Sequence, residues 1–215
     1  LVGEPSAGPH ESLLSLADAS IDRAIALATP PPLDGEEPAS TDATDEAGIR
    51  SPKCDVAEYW VQKAYVSLYM NKSREAMEAI GNATLLEPSD PDVAYRSAEI
   101  YLAFDERILA KKGLERALME RPDDPKFLWA MGYYYTTLPL PEHNDALMYY
   151  NRAIEMCRTG GPNRKPLLSD ALVNRAETLK RVDQPMEALA SAEEAVEVNP
   201  DNVRAHLSLA RLRMD

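Results

Sequence analysis

Two aromatic side chains stand apart in the stretch 126–135, Lys-Phe-Leu-Trp-Ala-Met-Gly-Tyr-Tyr-Tyr. Leu128, Met131, Gly132 and Tyr135 recur at three- and four-residue steps, so they share one face of a helix and can bury it. Trp129 and Tyr133 lie about 100° round that helix and point elsewhere. The chemistry open to such a pair is recognition, because exposed rings bury large area at low entropic cost and suit extended or helical peptide ligands. The competing use is packing against neighbouring segments. The two uses separate by experiment: removing both rings weakens partner capture at little cost in stability if they are exposed, and costs much stability if they are core.

Covalent chemistry finds no comparable set. His10, His143 and His206 fall in different segments with no i,i+4 pair, and Cys54 and Cys157 form no close-spaced metal or redox pair. The thiols read as idle or buried. Gly160-Gly161 runs into Pro162 without a Lys-Ser/Thr partner, so it reads as a turn and not a phosphate loop. Acidic pairs such as Asp123-Asp124 and Glu193-Glu194 suit caps and helix surfaces. With no nucleophile, base and oxyanion donors assembled, the expectation is a noncatalytic chain with no cofactor and no metal.

The formal charge of −13 and pI near 4.7 oppose nucleic-acid and anionic-membrane partners, which call for Lys and Arg. The acidity is uneven, residues 1–55 holding 11 acidic against 3 basic side chains. No apolar run approaches the roughly 18 residues of a membrane span, and no charged-then-apolar leader opens the chain. A soluble protein without membrane insertion is expected; the sequence fixes no compartment, with the cytoplasm favoured. Leu1 is not an initiator Met and the chain stops inside an apparent repeat, as an excerpt of a longer protein would.

The elements that position these residues follow from periodicity and breakers. Leu13, Leu14, Leu16, Ala17, Ile21, Ala24, Ile25 and Ala28 give a helix over 11–28, ended by Thr29-Pro30-Pro31-Pro32. Residues 30–55 are acidic, Pro-rich and nearly free of large apolar side chains. They read as a loop or linker, with a docking segment as the alternative use. Beyond Asp55 the chain repeats itself: Ala64, Ala98 and Gly132 stand 34 apart, as do Ala176 and Ala210. Each sits in a first helix, over 57–69, 91–103, 125–137, 169–181 and 202–213. Second helices carry the triplets Ala76/Ile80/Ala83, Ala110/Leu114/Ala117, Ala146/Tyr150/Ala153 and Ala188/Ala192/Ala195. Small side chains let antiparallel helices approach so that a large neighbour fills the gap. Asp90-Pro91, Asp124-Pro125 and Gln184-Pro185 mark helix starts, and Pro88, Pro122 and Pro200 mark ends.

This pattern resembles the tetratricopeptide repeat, a helix–turn–helix of 34 residues. The matches are Trp60/Ala64, Ala98/Tyr101, Leu128/Met131/Gly132/Tyr135, Leu172/Ala176/Leu179 and His206/Leu209/Ala210, with the triplets above. The resemblance implies an all-α fold, a right-handed α-α superhelix (solenoid) of tetratricopeptide-like helix-turn-helix repeats. It divides the chain into an N-terminal helix (1–29) that could be a partial earlier repeat against Trp60, the acidic linker (30–55), and about four and a half repeats over 56–215. Those repeats are 56–89, 90–123, 124–162, 169–201 and a lone first helix in 202–215. Lys63, Ser97 and Arg175 replace apolar residues of the pattern and Ser67 an aromatic, so the first and fourth repeats are expected to pack less tightly. Two extra residues in the 138–143 turn and about eight in the 158–166 connection are expected to sit in loops.

In a solenoid of this kind the first helices line a concave groove, where repeat proteins bind their partners. The groove positions are Val61, Tyr65, Tyr95, Arg96, Glu99, Trp129, Tyr133, Val173, Asn174, Glu177, Leu207 and Arg211. Some members of the family grip C-terminal carboxylates with a Lys, two Asn, a Lys and an Arg. Only Asn174 and Arg204 stand at suitable places here, which argues against that mode. The leading reading is a noncatalytic protein–protein interaction scaffold binding a peptide or partner subunit. The alternative is a regulatory or substrate-docking region of a larger multidomain enzyme. The lone last helix is a face for self-association.

Overall fold

The protein, in a computed structural model, is described over residues 9–28 and 52–214. Among the described residues the regular structure is helical: α1 (Pro9–Ala28), α2 (Pro52–Tyr69), α3 (Ser73–Leu86), α4 (Pro91–Ala103), α5 (Arg107–Glu120), α6 (Pro125–Thr137), α7 (His143–Thr159), a 3-10 turn (Pro162–Arg164), α8 (Lys165–Arg181), α9 (Pro185–Val198) and α10 (Val203–Met214). This is an all-α fold of helix–turn–helix repeats. The helices gather into two compact units, Leu1–Gly113 and Leu114–Asp215, divided within α5.

Local chemistry sets the helix ends. The Asp90 carboxylate accepts from the backbone N–H of Asp92 at 2.7 Å and of Val93 at 3.2 Å, and that of Asp124 from Lys126 at 3.0 Å. Each cap satisfies donors that the first turn cannot, ahead of a proline that needs none. Asn202 does the same for α10, accepting from Arg204 at 3.0 Å and Ala205 at 3.3 Å. Gln184 makes no such bond, so α9 starts on its proline alone. First helices close through a repeated turn in which Asn71, Asp105 and Asp183 take φ of 57°, 64° and 60°. Asn and Asp tolerate this left-handed region better than other side-chained residues. The next N–H then reaches back to a helix carbonyl: Lys72 to Ser67, Glu106 to Tyr101 and Gln184 to Leu179, at 2.8 to 2.9 Å. In the lengthened third turn the Glu142 N–H still reaches Tyr135 O, at 3.2 Å, so the two added residues loop out without displacing the bond.

Two helix starts differ from expectation by four residues or more. α2 begins at Pro52, so residues 52–55 of the stretch read as linker are helical, proline being tolerated in a first turn. The remainder of that stretch, with its docking alternative, lies outside the described residues. α8 begins at Lys165 and not at 169, with Pro166 in its first turn, and α7 runs on to Thr159, so the long connection shrinks to 160–164.

In the first unit, α2 lies against α1, α3 and α4, around Val61, Ala64, Ala76, Ala79, Ile80, Ala83, Val93 and Ile100. Trp60, Tyr65, Leu68, Tyr101 and Phe104 flank this core. Of the departures from the repeat pattern, Lys63, Ser97 and Arg175 find polar partners, whereas Ser67 is fully buried with its hydroxyl unpaired. Lys63 meets Asp18 and Asp22 of α1, each at 2.7 Å. Burial would lower the Lys63 pKa, but its hydrogen bonds to the two carboxylates outweigh that and hold it above the usual lysine value. Ser97 donates to Val93 O at 2.6 Å and lies 3.3 Å from the Thr84 hydroxyl.

Gly81, inside α3, has nothing within 4 Å of the place a Cβ would take. Gly81→Ala is therefore expected to raise stability by about 0.5–1 kcal/mol, by restricting the unfolded chain. A higher urea midpoint at unchanged m-value is the expected result; a lower midpoint would refute it.

In the second unit, α8 is packed by α6, α7, α9 and α10. Ile154, Cys157, Leu168, Ala171, Leu172, Val173, Ala195 and Ala205 form its core cluster, with Trp129, Leu167, Val196 and Val198 against it. Arg175 is matched by Ser191, whose hydroxyl accepts at 3.0 and 3.1 Å, and by Asn151 at 3.3 Å. Burial lowers its pKa nonetheless.

The buried Cys157 thiol is pushed up to about 11, chiefly by burial, which Arg164 opposes and Asp124 reinforces. The thiolate is the nucleophile, so raising the pKa removes it near neutral pH. In a Cys54→Ser background, iodoacetamide at pH 8 is expected to alkylate the native protein at least about 100-fold more slowly than the urea-unfolded chain. Comparable rates would contradict the burial.

Candidate functional site on the second unit

The twelve expected groove residues divide between the units. In the first, Val61 is fully buried and Tyr95 is 4% exposed, so both are core. Tyr65 and Tyr95 donate to the two oxygens of Glu99, each at 2.6 Å, and Arg96 donates to Glu58 at 2.6 Å. Burial, then the bond to Glu99, raises the Tyr65 phenol pKa well above its ordinary value. The aromatic face expected there is a closed cluster whose named polar groups serve one another. Val173 of α8 is likewise fully buried. One cause covers Val61 and Val173: a first helix contacted by several neighbours keeps only a narrow exposed stripe, and the residue just beyond the bulky site falls outside it.

The second unit does bring expected residues together. Tyr133 is 44% exposed, and its ring stacks on that of Trp129, centroids 5.9 Å apart and planes 10° from parallel. Trp129 itself is half-buried against the core cluster. Beside Tyr133 opens a pocket of about 170 Å³, lined by Thr136, Thr137, Tyr150, Asn174, Glu177, Thr178, Arg181 and Arg204. A larger hollow of about 420 Å³ adjoins it between α8 and α10, lined by Glu177, Lys180, Arg181, Ser208, Arg211 and Leu212. Glu177 and Arg181 line both. Tyr133, Asn174, Glu177 and Arg211 therefore share one continuous surface. Leu207 is exposed but lines neither hollow.

The small pocket is polar at its base. Tyr150 is fully buried and Asn174 is 6% exposed, yet the Tyr150 hydroxyl and Asn174 Nδ2 have no hydrogen-bond partner within the chain. Burial drives the Tyr150 phenol pKa up. Thr136 and Asn174 lie near enough to ease that shift without meeting hydrogen-bond geometry. Arg204 donates to Asn174 Oδ1 at 2.7 Å, which fixes the amide with its nitrogen left over.

Sequence reasoning placed Tyr150 only in packing, where it does fill the gap opposite Gly132: a Cβ on that glycine would come within 2.6 Å of the Tyr150 ring. The missed signal was the hydroxyl, since a tyrosine at a buried position must direct its O–H somewhere. Thr136 and Thr178, whose hydroxyls bond to their own helix, gave no separate signal. Among the described residues no group of three His, Cys, Asp or Glu is placed to hold a metal ion, and no helix is long and apolar enough to cross a membrane.

A family model of the tetratricopeptide repeat matches residues 173–215, which span most of α8 with α9 and α10. No curated protein sequence matches the chain. Among solved structures, BtubC from P. vanneervenii is similar over 97% of this chain and 84% of its own, at 14% identity and a TM-score of 0.72. The pilF protein of Pseudomonas aeruginosa is similar over 76% of this chain and 70% of its own, at 18% identity and 0.65. PilW, a type IV pilus biogenesis factor, is similar over 74% and 69%, at 21% identity and 0.64. At such identities the likeness is one of fold. The repeat match assigns residues 173–215 to the tetratricopeptide repeat, and the likeness shows that the other helix–turn–helix units share the fold of such repeats.

Proposed function

We propose that this chain is a noncatalytic interaction scaffold whose second unit binds an extended peptide segment of a partner protein, along the surface from Tyr133 through Glu177 to Arg211. One observation carries the reading: an exposed aromatic ring lines the smaller of two hollows that share Glu177 and Arg181. An aromatic platform supplies contact area with few rotatable bonds, and flanking charges set orientation and exclude wrong partners. The exposed Arg181 and Arg211 favour a segment with acidic residues at that end. In the first unit Tyr65 and Tyr95 both donate to Glu99, which favours a structural role for that cluster.

Selection of peptides from a displayed 12-residue library on the intact protein tests this. Selected peptides are expected to lose at least about tenfold in affinity to Tyr133→Ala and to Arg181→Glu, the range of an interface anchor. An unchanged Kd in both variants, or a selection that yields no binder, would remove the proposal.

A further inference from the structure

We infer that the 170 Å³ pocket is a specificity subsite for an uncharged side-chain carboxamide, that of an asparagine or glutamine, on the bound peptide. It rests on the peptide-binding reading above and names what that surface selects. Arg204 Nη2 occupies Asn174 Oδ1 at 2.7 Å, so the amide cannot flip without facing its nitrogen to a guanidinium. Asn174 Nδ2 is left as a donor without a partner, and the Tyr150 hydroxyl is a second, both on residues more than nine-tenths buried that line one cavity. The threonine hydroxyls there do not compete for the same role. Thr136 donates to Tyr133 O at 2.7 Å and Thr178 to Asn174 O at 2.8 Å, so their protons are committed to helix carbonyls.

Charge decides what the donors await. Arg204 has Asp170 at 3.8 Å, and Arg181 stands one helical turn from Glu177 on α8. Glu177 itself lines the pocket beside these cations and opposes an incoming carboxylate. A carboxamide meets every term: its carbonyl accepts from Asn174 Nδ2 and the Tyr150 hydroxyl, and its amino group donates to Glu177. A buried donor left unpaired beneath a bound ligand weakens binding by roughly an order of magnitude. A peptide backbone carbonyl offers the same acceptor but sits on the main chain at the pocket mouth, whereas a side chain reaches the base.

The test uses the full chain, labelled with 15N, titrated with propionamide and separately with propionate. Propionamide is expected to shift the Asn174 side-chain amide signals and propionate to leave them. Tyr150→Phe, which keeps the ring, and Asn174→Asp, which keeps the shape and the Arg204 bond but loses the donor, should each reduce propionamide affinity at least about fivefold. Selected peptides should carry Asn or Gln at one position, where Glu or Ala weakens binding about tenfold, and Tyr150→Phe should erase that difference. Equal or larger shifts with propionate overturn the inference in favour of an anion site. Absence of shifts with either probe overturns it outright. Peptides that bind through Tyr133 without an amide preference overturn the subsite while the binding surface stands, and an affinity that survives Gln→Ala in the peptide yet falls with Tyr150→Phe assigns the acceptor to the backbone and overturns the side-chain form. If propionamide titrates Asn174 but no peptide is selected, the peptide reading falls, and with it the peptide subsite.

Discussion

Gly132→Leu is expected to remove on the order of 3 kcal/mol from the stability of the second unit, the upper end for overpacking a filled core. A Cβ alone would stand 2.6 Å from Tyr150 Cε1 and 2.7 Å from Cδ1, closer than real contacts allow. The obstacle is a ring and not the free end of a flexible chain, and Tyr150 is fully buried, so it cannot swing aside without vacating the gap it fills. Leucine's better helix propensity returns only about 1 kcal/mol. Gly81 supplies the control: the same residue type in another repeat helix faces open space, so its replacement carries the opposite sign. Urea unfolding followed by near-ultraviolet circular dichroism reads the effect. A Gly132→Leu unfolding free energy within about 0.5 kcal/mol of the parent would mean that the two helices do not approach as described.

That opposition shows what could be read from the sequence. The small residues Ala64, Ala98, Gly132 and Ala176, the middle residues of the second-helix triplets and the capping Asp90 and Asp124 all act over one turn or one helix pair, so residue type and spacing reveal them, whereas Ala210 of the last helix is exposed. Ile80, Leu114 and Tyr150 are indeed fully buried. What escaped depends on how many neighbours surround a helix. Val61 and Val173 occupy the same register as the half-buried Trp129, yet both are wholly covered, because α2 and α8 each have several helices against them. Lys63 looked like a misfit until α1 supplied Asp18 and Asp22 from more than 40 positions earlier. The candidate pocket was the least legible part. Its two free donors, on Tyr150 and Asn174, come from α7 and α8, and the orientation of the Asn174 amide depends on Arg204 of α10. No local pattern marks a donor as unpaired, since that is decided only once every nearby acceptor has been placed.

Trp129 and Tyr133, adjacent on one helix face and equal candidates by sequence, are expected to part company under substitution. Trp129→Ala should cost about 2–3 kcal/mol, somewhat less than the 3–5 typical of a fully buried tryptophan, because part of its ring remains accessible. It lies against the cluster of Ile154, Cys157 and Leu168, and removing it would open that core on one side. Tyr133→Ala should cost under about 1 kcal/mol, since its ring is 44% exposed and what it loses in the fold is chiefly the stacking contact. Binding should divide the other way: Tyr133→Ala weakens a selected peptide at least about tenfold at nearly native stability. Trp129→Ala acts on affinity mainly through the ring it no longer supports. A double-mutant cycle separates contact from support, because two independent peptide anchors give additive losses whereas a platform and its backing do not. Additive losses in affinity, or a Trp129→Ala protein as stable as the parent, would return Trp129 to the binding surface. Non-additive losses leave Tyr133 as the side chain that meets the partner and Trp129 as the reason it is held in place.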